Sequence, residues 1–422
     1  MSVLPRRSTA TKPEGFYGWR IVGYSALAFA ATGPGQTAGI SVFVDPLIRD
    51  LDISRSAVST AYLIGTLSGA LALPWVGRAL DRYGVRRTMA VIGAVFGAVL
   101  IALSAVSSIV GLTAGFVGVR MAGQGALGLT STTAAALWFD RRRGTATGIV
   151  SAFGMVGISM TPVVAEALIA SHGWRLSWLV IGVAVWLVVI PVALFGMRDH
   201  PAALGQWPDG RAPGSGTAAV WGVDRWTAVR HPFFWVVAGG VAVVGMLATG
   251  VNFHQISLLG ERGLSPAEAA VNFVPQTIAA LAATLGTGIL ADRVRHRWLI
   301  VGAMVMLGLG LAWATWVTPG LSAVLFGALI GSAQGGMRAV EVATFPRYFG
   351  TRHIGSIRGI LVALAVASTA FGPLLFASAR ELTGSYTAVL LASLPLPALV
   401  MAAGLVVRAP SFDRAATGPT GR

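Results

Sequence analysis

The chain has 422 residues, of which 55% are hydrophobic and only 11% are charged, whereas soluble globular domains carry about 25% charged residues. This composition excludes a soluble domain. The formal net charge of +15 does not indicate nucleic acid binding, because the arginines are dispersed between long apolar runs and form no single basic face. Cysteine is absent, which excludes disulfides, thiolate metal sites and cysteine nucleophiles.

The apolar residues form runs that are long enough to cross a membrane. Ala90 to Leu112 and Leu176 to Met197 contain no charged residue, and about 20 apolar residues span the ~30 Å hydrocarbon core as a helix. Lipid offers no partners for backbone polar groups, so these runs are predicted to be helices. The first run, Ile21 to Val44, is too long for the apolar part of a cleaved signal peptide and predicts a retained span.

The same criterion, applied along the whole chain, predicts an all-α membrane protein with twelve transmembrane helices. In chain order they lie near residues 19–44, 57–76, 88–107, 109–136, 146–169, 176–197, 233–258, 268–290, 298–317, 321–345, 357–378 and 386–407.

The distribution of positive charge predicts the orientation of these spans. Most of the 31 lysine and arginine residues fall in the two terminal tails and in the loops after the even-numbered spans. The loops on the opposite side hold Arg49, Arg55, Arg175, Arg262 and Arg380. Because cytoplasmic loops are enriched in Lys and Arg, both termini are predicted to be cytoplasmic, in an inner cell membrane.

The chain divides into two halves that repeat each other. A proline- and glycine-rich stretch at 198–231 predicts a flexible linker. Loop residues Gly77, Asp81 and Arg82 recur at a constant offset of half the chain as Gly288, Asp292 and Arg293. The predicted units are a tail at 1–16, a six-helix bundle at 17–197, the linker at 198–231, a second six-helix bundle at 232–408 and a tail at 409–422.

The loop after the second span carries a specific motif. It begins at Gly77, continues through Asp81, Arg82 and Gly84, and ends in Arg86-Arg87. This sequence closely resembles the loop pattern Gly-x-x-x-Asp-Arg-x-Gly-x-Arg-Arg of major facilitator transporters. The resemblance implies two parallel six-helix repeats and transport by alternating access.

By the same resemblance, the two copies of the loop form a cytoplasmic gate. The gating residues are then Gly77, Asp81, Arg82, Arg86, Asp292 and Arg293. The alternative is a basic loop that only sets the topology.

Three further segments resemble the branch of monocarboxylate porters and oxalate/formate antiporters. They are Glu14-Gly-Phe-Tyr-Gly-Trp19, residues 138–148 and residues 347–359. The resemblance implies an organic anion as substrate. The sequence departs from that branch in span 8, where 280–288 holds no charge, and its only lysine is Lys12 in the tail. The carboxylate-binding residues of the branch are therefore not carried over.

Drug/proton antiporters are the competing branch. Their span-5 pattern is matched at Gly148, Gly157 and Pro162, but Thr161, Ala165 and Glu166 replace its other glycines. Efflux of a drug or metabolite by proton antiport therefore stays open as an alternative.

Charged residues within spans are costly and usually line a cavity or meet a partner. Span 4 holds Arg120 and Gln124, which an α-helix places on one face; Arg120 is either structural or an anion-binding residue. Span 10 holds Gln334, Arg338 and Glu341 on one face. Arg338 and Glu341 form either a self-neutralising pair or a substrate-anion site with Glu341 as proton acceptor.

Neutral polar residues complete the candidate binding set. Span 7 contributes Asn252, His254 and Gln255, and histidine suits proton coupling because it titrates near physiological pH; a plain hydrogen-bonding role is the alternative. Span 1 contributes Gln36 and Thr37, which follow Gly33-Pro34-Gly35, a run that should break or kink the helix. Asn272 and Gln276 in span 8 are weaker candidates.

Together these features predict a transporter of a small organic solute, with an organic anion favoured and with protons as candidate coupling ions. The sequence holds no nucleotide-binding loop and no nucleophile–base constellation, so neither a cofactor nor enzymatic activity is expected. The expected partners are the solute and the lipid bilayer, and the expected state is a monomer. A membrane receptor or sensor is the alternative of another class, but no loop here is long enough for a sizeable soluble domain.

Overall fold

The computed structural model describes residues 16–210, 221–291, 293–350 and 352–410. Within these ranges the chain is helical, and extended backbone pairs only in one isolated bridge between Gly222 and Gly350. The prediction of an all-helical protein is confirmed.

The first half contains six α-helices. They are α1 (Gly18–Ala30), α2 (Thr37–Leu51), α3 (Arg55–Leu103), α4 (Ile109–Val119), α5 (Gly128–Trp138) and α6 (Arg143–Pro191). The two long helices, α3 and α6, are interrupted at Gly84 (φ 79°) and at Gly173 (φ 77°). Glycine tolerates this left-handed region, where a Cβ would clash with the backbone.

The second half is also helical. Its elements are α7 (Arg225–Arg230), α8 (Pro232–Gly260), α9 (Pro266–Val271), α10 (Phe273–Ala291), α11 (His296–Trp313), α12 (Leu321–Phe349), α13 (Ile354–Thr383), α14 (Thr387–Ala392) and α15 (Pro395–Val406). Within the described ranges, eight helical stretches are long and apolar enough to cross a membrane, and α3 and α6 each count as one of them.

Polar contacts sort the helix ends into two groups. At one end, called the linker end, Arg86 and Arg142 contact residues 199 and 209 of the linker. At the other, the far end, Arg175 contacts Asp50 and the carbonyl oxygen of Ser104. Helix α3 therefore starts and finishes at the far end and reverses at Gly84, whereas α6 starts and finishes at the linker end.

The first span is broken as its sequence predicts. Helix α1 ends at Ala30, Gly33–Gly35 form a short 3₁₀ turn, and α2 starts at Thr37. A Cβ added at Gly35 would lie 2.9 Å from the carbonyl oxygen of Val119. The backbone of the break is therefore packed directly against the fourth span.

The described parts of the linker are bound to both halves. Asp199 accepts a hydrogen bond from the backbone N–H of Arg86 (2.9 Å), and Gln206 accepts one from the N–H of Tyr17 (3.0 Å). On the other half, the N–H of Arg352 donates to the carbonyl oxygen of Trp221 (3.1 Å). These contacts hold the described linker segments against the bundle, whereas residues 211–220 of the predicted flexible linker lie outside the described residues.

Asp209 makes the densest of these linker contacts. Its carboxylate accepts hydrogen bonds from the backbone N–H groups of Asp140, Arg141 and Arg142, at the start of α6. Desolvation acts to raise the pKa of Asp209, but the three backbone donors outweigh it, so this pKa lies below its ordinary value. The linker thus supplies hydrogen-bond partners to the backbone of the turn that leads into α6.

Candidate functional site

A cavity of 370 Å³ lies between the two halves. Its wall is built from α2, α6, α8, α10, α12, α13 and the π-helical segment 120–127 between α4 and α5. The sequence-predicted residues that line it are Gln36, Thr37, Gln124, Asn252, Gln276, Gln334, Arg338 and Glu341. This volume falls in the range of small-molecule sites.

The two halves meet at the far end of the cavity. The N–H of Ser56, in the first turn of α3, donates to Oε1 of Glu381 in α13 (2.8 Å). Nearly two turns further along α3, the ring of Tyr62 packs on Phe253 of α8 with centroids 4.6 Å apart. Arg55 lies beside Asp45 within the first half. These contacts close the cavity on this side.

The inner part of the cavity, next to this closure, is polar but uncharged. Nε2 of Gln276 donates to Oδ1 of Asn252 (2.7 Å). The hydroxyl groups of Thr37 and Tyr62 are hydrogen-bonded at 2.6 Å, and Nε2 of Gln36 donates to Oγ1 of Thr32. This end offers hydrogen bonds to a neutral group.

The charged residues of the cavity lie towards the linker end. Arg338 is exposed to the cavity, and its Nη1 lies 3.7 Å from Sδ of Met155. Glu341 forms its ion pair with Arg358 of α13 (3.6 Å), and not with Arg338 as its position one turn away predicts. The self-neutralising Arg338–Glu341 pair is therefore corrected: Glu341 pairs with Arg358, Arg338 has no ion pair among the described residues, and the three groups together keep a net positive charge.

Arg120 does not line the central cavity. Residues 120–127 form a π-helix instead of an α-helix. Arg120 and Gln124 both border a smaller cavity of 270 Å³, and Gln124 also lines the central one. The Arg120 guanidinium is 2% exposed, lies 4.6 Å from the Tyr62 ring centroid and donates to the carbonyl oxygen of Gly35. It thus braces the broken first span.

His254 and Gln255 do not line the central cavity. The imidazole Nε2 of His254 donates to the carbonyl oxygen of Pro373 (2.9 Å), and Nε2 of Gln255 donates to that of Ala269 (3.1 Å). Both are fully buried between α8 and its neighbours. The predictions that both residues bind the solute, and that His254 couples protons in the transport path, are corrected. Both side chains instead join neighbouring helices. Asn272 is fixed similarly, on the carbonyl oxygen of Ala323.

The predicted gating loop lies at the linker end. Gly77, Asp81 and Arg82 precede the Gly84 reversal of α3, and Arg86 follows it. Asp81 is exposed. A Cβ at Gly84 would lie 2.4 Å from the Asp199 carboxylate. The last glycine of the motif therefore leaves space for this linker side chain. In the second copy Arg293 is exposed, and Asp292 lies outside the described residues.

Several wall residues were not identified by the sequence analysis. Met155, Ser159, Thr249, Thr277, Met337 and Thr369 also line the cavity. Hydroxyl groups and methionines are ordinary components of membrane helices, so their residue type alone gave no signal. Arg358 was missed as the partner of Glu341 because it lies on a different helix, α13.

The helical fold, the apolar spans and a polar cavity between two halves define a membrane transporter. A family model described as Major Facilitator Superfamily matches residues 24–274. The chain belongs to this superfamily.

Two relatives are similar in sequence. The uncharacterized MFS-type transporter YcxA of Bacillus subtilis (strain 168) is 24% identical over 226 residues, which is 53% of this chain and 53% of that protein. The chain thus matches about half the length of this relative. The MFS transporter asaE of Aspergillus flavus is 25% identical over 381 residues, 87% of this chain and 81% of that protein.

Solved structures share the fold. A bacterial homolog of the human lysosomal transporter Spinster, in an inward-facing and unoccupied conformation, has a TM-score of 0.69 at 17% identity and covers 94% of this chain and 98% of its own. The nucleoside transporter NupG has a TM-score of 0.73 at 12% identity, and the match covers 93% of this chain and 98% of NupG. At these identities the likeness concerns the fold alone.

Proposed function

We propose that the protein transports a small organic anion across a cytoplasmic membrane by alternating access. Twelve spans form two parallel bundles at 17–197 and 232–408, joined by the linker at 198–231, with the tails 1–16 and 409–422 in the cytoplasm. The reversals of α3 at Gly84 and of α6 at Gly173 support this count, because each turns one long helix into two spans. The charge bias places the linker end in the cytoplasm.

The charges of the cavity wall support an anion as the substrate. Arg338 and Glu341 are the charged residues of the cavity wall, and Glu341 is already paired with Arg358. A guanidinium at membrane depth is stabilised by a partner, and a substrate carboxylate supplies it with charge-assisted hydrogen bonds. Arg120, which braces the first span, is a structural residue in this account.

Vesicle uptake tests this function and separates it from drug efflux. The purified protein is reconstituted in liposomes and presented with a panel of radiolabelled carboxylates and of cationic dye-type drugs. Uptake of at least one carboxylate above protein-free liposomes is expected, since the cavity carries a positive charge. Transport of the dyes alone would reject the organic anion and favour proton antiport of drugs.

The twelve-span topology is tested by reporter fusions. Fusions after Arg142, Gly210 and Arg295 are expected to report from the cytoplasm, and fusions at Arg55, Gly173 and Gly263 from the opposite side. Alkaline phosphatase, active outside, and green fluorescent protein, fluorescent inside, give complementary readings at each site. A single position that reads from the wrong side refutes the count.

The gating loop is tested by Asp81→Asn. Asp81 is exposed at the linker end in the present state, so the substitution should leave the melting temperature of the protein unchanged. It should lower the transport rate severalfold, because a neutral side chain cannot form the charged clasp that closes the cytoplasmic side. The exposed Asp140 of the next loop offers a matched control, Asp140→Asn. Normal turnover of the Asp81 variant would reduce the motif to a topology signal.

A further inference from the structure

Two groups of polar residues in the cavity, the Asn252–Gln276 pair and Arg338, lie at separate levels. A Cβ at Gly331 would lie 2.0 Å from the carbonyl oxygen of Gln276, so this part of α12 packs at the level of Gln276. Arg338 follows Gly331 by two turns of the same helix, which is roughly 10 Å at the rise of an α-helix. Arg338 therefore lies about 10 Å nearer the linker end than the Asn252–Gln276 pair.

The inner level is suited to a neutral group with both a donor and an acceptor. The Gln276 amide donates a hydrogen bond to Oδ1 of Asn252. The amide N–H groups of Asn252 are left to donate hydrogen bonds to a solute. Oε1 of Gln276 is buried without a partner among the described residues. Exchanging N and O in both amides still leaves one donor and one acceptor free. A charged group placed here would be buried without a counterion, which is strongly unfavourable.

The outer level is suited to an anion. Glu341 pairs with Arg358, and Arg338 has no ion pair among the described residues, so one further negative charge would neutralise the group of three. Between the two levels α12 contributes Gln334, and the apolar side chains of Ile158, Val244 and Ala280 also line the cavity. A solute that fills the cavity thus meets a cation at one end and a neutral amide pair at the other.

We propose that the transported solute is an elongated monoanion. Its anionic group binds Arg338, and a neutral amide or hydroxyl group at its other end, roughly 10 Å away, binds Asn252 and Gln276. This inference rests on the proposed function and narrows it, because short monocarboxylates would fill only the outer level.

Four probes of one chain length test the inference. The half-amide of suberic acid carries both groups, octanoate lacks the neutral polar end, suberamide lacks the charge and suberate places a second charge at the inner level. Kd values are measured by calorimetry on the purified full-length protein. The half-amide is expected to bind at least about tenfold more tightly than each of the others, the equivalent of one well-made hydrogen bond.

Two variants test which residue binds each end of the half-amide. Asn252→Leu should remove the advantage of the half-amide over octanoate and leave the Kd of octanoate unchanged. Arg338→Gln should remove its advantage over suberamide, whereas Arg352→Gln, at an exposed arginine outside the cavity, should preserve it. The unchanged octanoate Kd shows that the Asn252 variant is folded.

The outcomes separate the two proposals. If octanoate and the half-amide bind equally, or if Asn252→Leu weakens both alike, the two-level substrate is rejected while transport of an organic anion stands. If none of the four probes binds at millimolar concentration, both proposals are rejected.

Discussion

Cross-linking the far end is expected to abolish transport. Ser56 and Glu381 belong to different halves and are joined by a 2.8 Å hydrogen bond. The variant with Ser56→Cys and Glu381→Cys, treated with a short bifunctional methanethiosulfonate that forms disulfides with both thiols, should lose vesicle uptake to background and regain it after reduction. Alternating access requires these ends to separate in each cycle. The chain contains no native cysteine, so the labelling is specific.

A pair within one half provides the matched control. Asp50 and Arg175 also lie at the far end and are 2.7 Å apart, but both belong to the first half. Cross-linking the variant with Asp50→Cys and Arg175→Cys should leave uptake largely intact. The cross-linked Ser56/Glu381 variant should still bind the half-amide of suberic acid, since the cavity is untouched. Undiminished uptake after complete cross-linking at 56 and 381 would contradict the assignment of a gate.

Gly331→Ala is expected to destabilise the second half. The added methyl group would lie 2.0 Å from the carbonyl oxygen of Gln276, a contact that requires α10 and α12 to move apart. Overpacking of this kind reduces the free energy of unfolding by about 1–3 kcal/mol. Unfolding in mixed micelles with sodium dodecyl sulfate, followed by circular dichroism, measures the change.

Gly302→Ala is the matched substitution in an open position. A Cβ at Gly302 meets no atom within 4 Å, and alanine is the better helix former. Its free energy of unfolding should therefore equal or exceed that of the wild type. Equal effects of the two substitutions would show that the close approach of α10 and α12 does not limit stability.

Local features of the fold could be predicted from the sequence. The break at Gly33–Gly35 was predicted because proline and glycine act on their own backbone, whatever surrounds them. The apolar runs predicted helices because lipid leaves backbone groups no other partner. The residues facing the cavity from α12 were also predicted, since Gln334, Arg338 and Glu341 share one face of a regular helix.

The partners of these residues could not be predicted, because they depend on packing between distant segments. Glu341 pairs with Arg358 on α13, a choice that no spacing within α12 encodes. Arg120 lies in a π-helix and donates a hydrogen bond to the carbonyl oxygen of Gly35 in the first span, a partner that no spacing within its own span encodes. The composition of the linker gave no information about the backbone N–H groups of Arg86 and Arg141, which donate to Asp199 and Asp209.

The central claim is that Arg338 binds the anionic group of the transported solute. Initial rates of uptake of a radiolabelled carboxylate substrate into proteoliposomes test it, with wild type, Arg338→Gln and Arg352→Gln reconstituted at equal density. A hydrogen bond to a charged group contributes about 1.5–3 kcal/mol, so kcat/KM of the Arg338 variant should fall roughly ten- to a hundredfold. The Arg352 variant should match the wild type, and an Arg338 variant that transports the carboxylate as well as the wild type does would contradict the account.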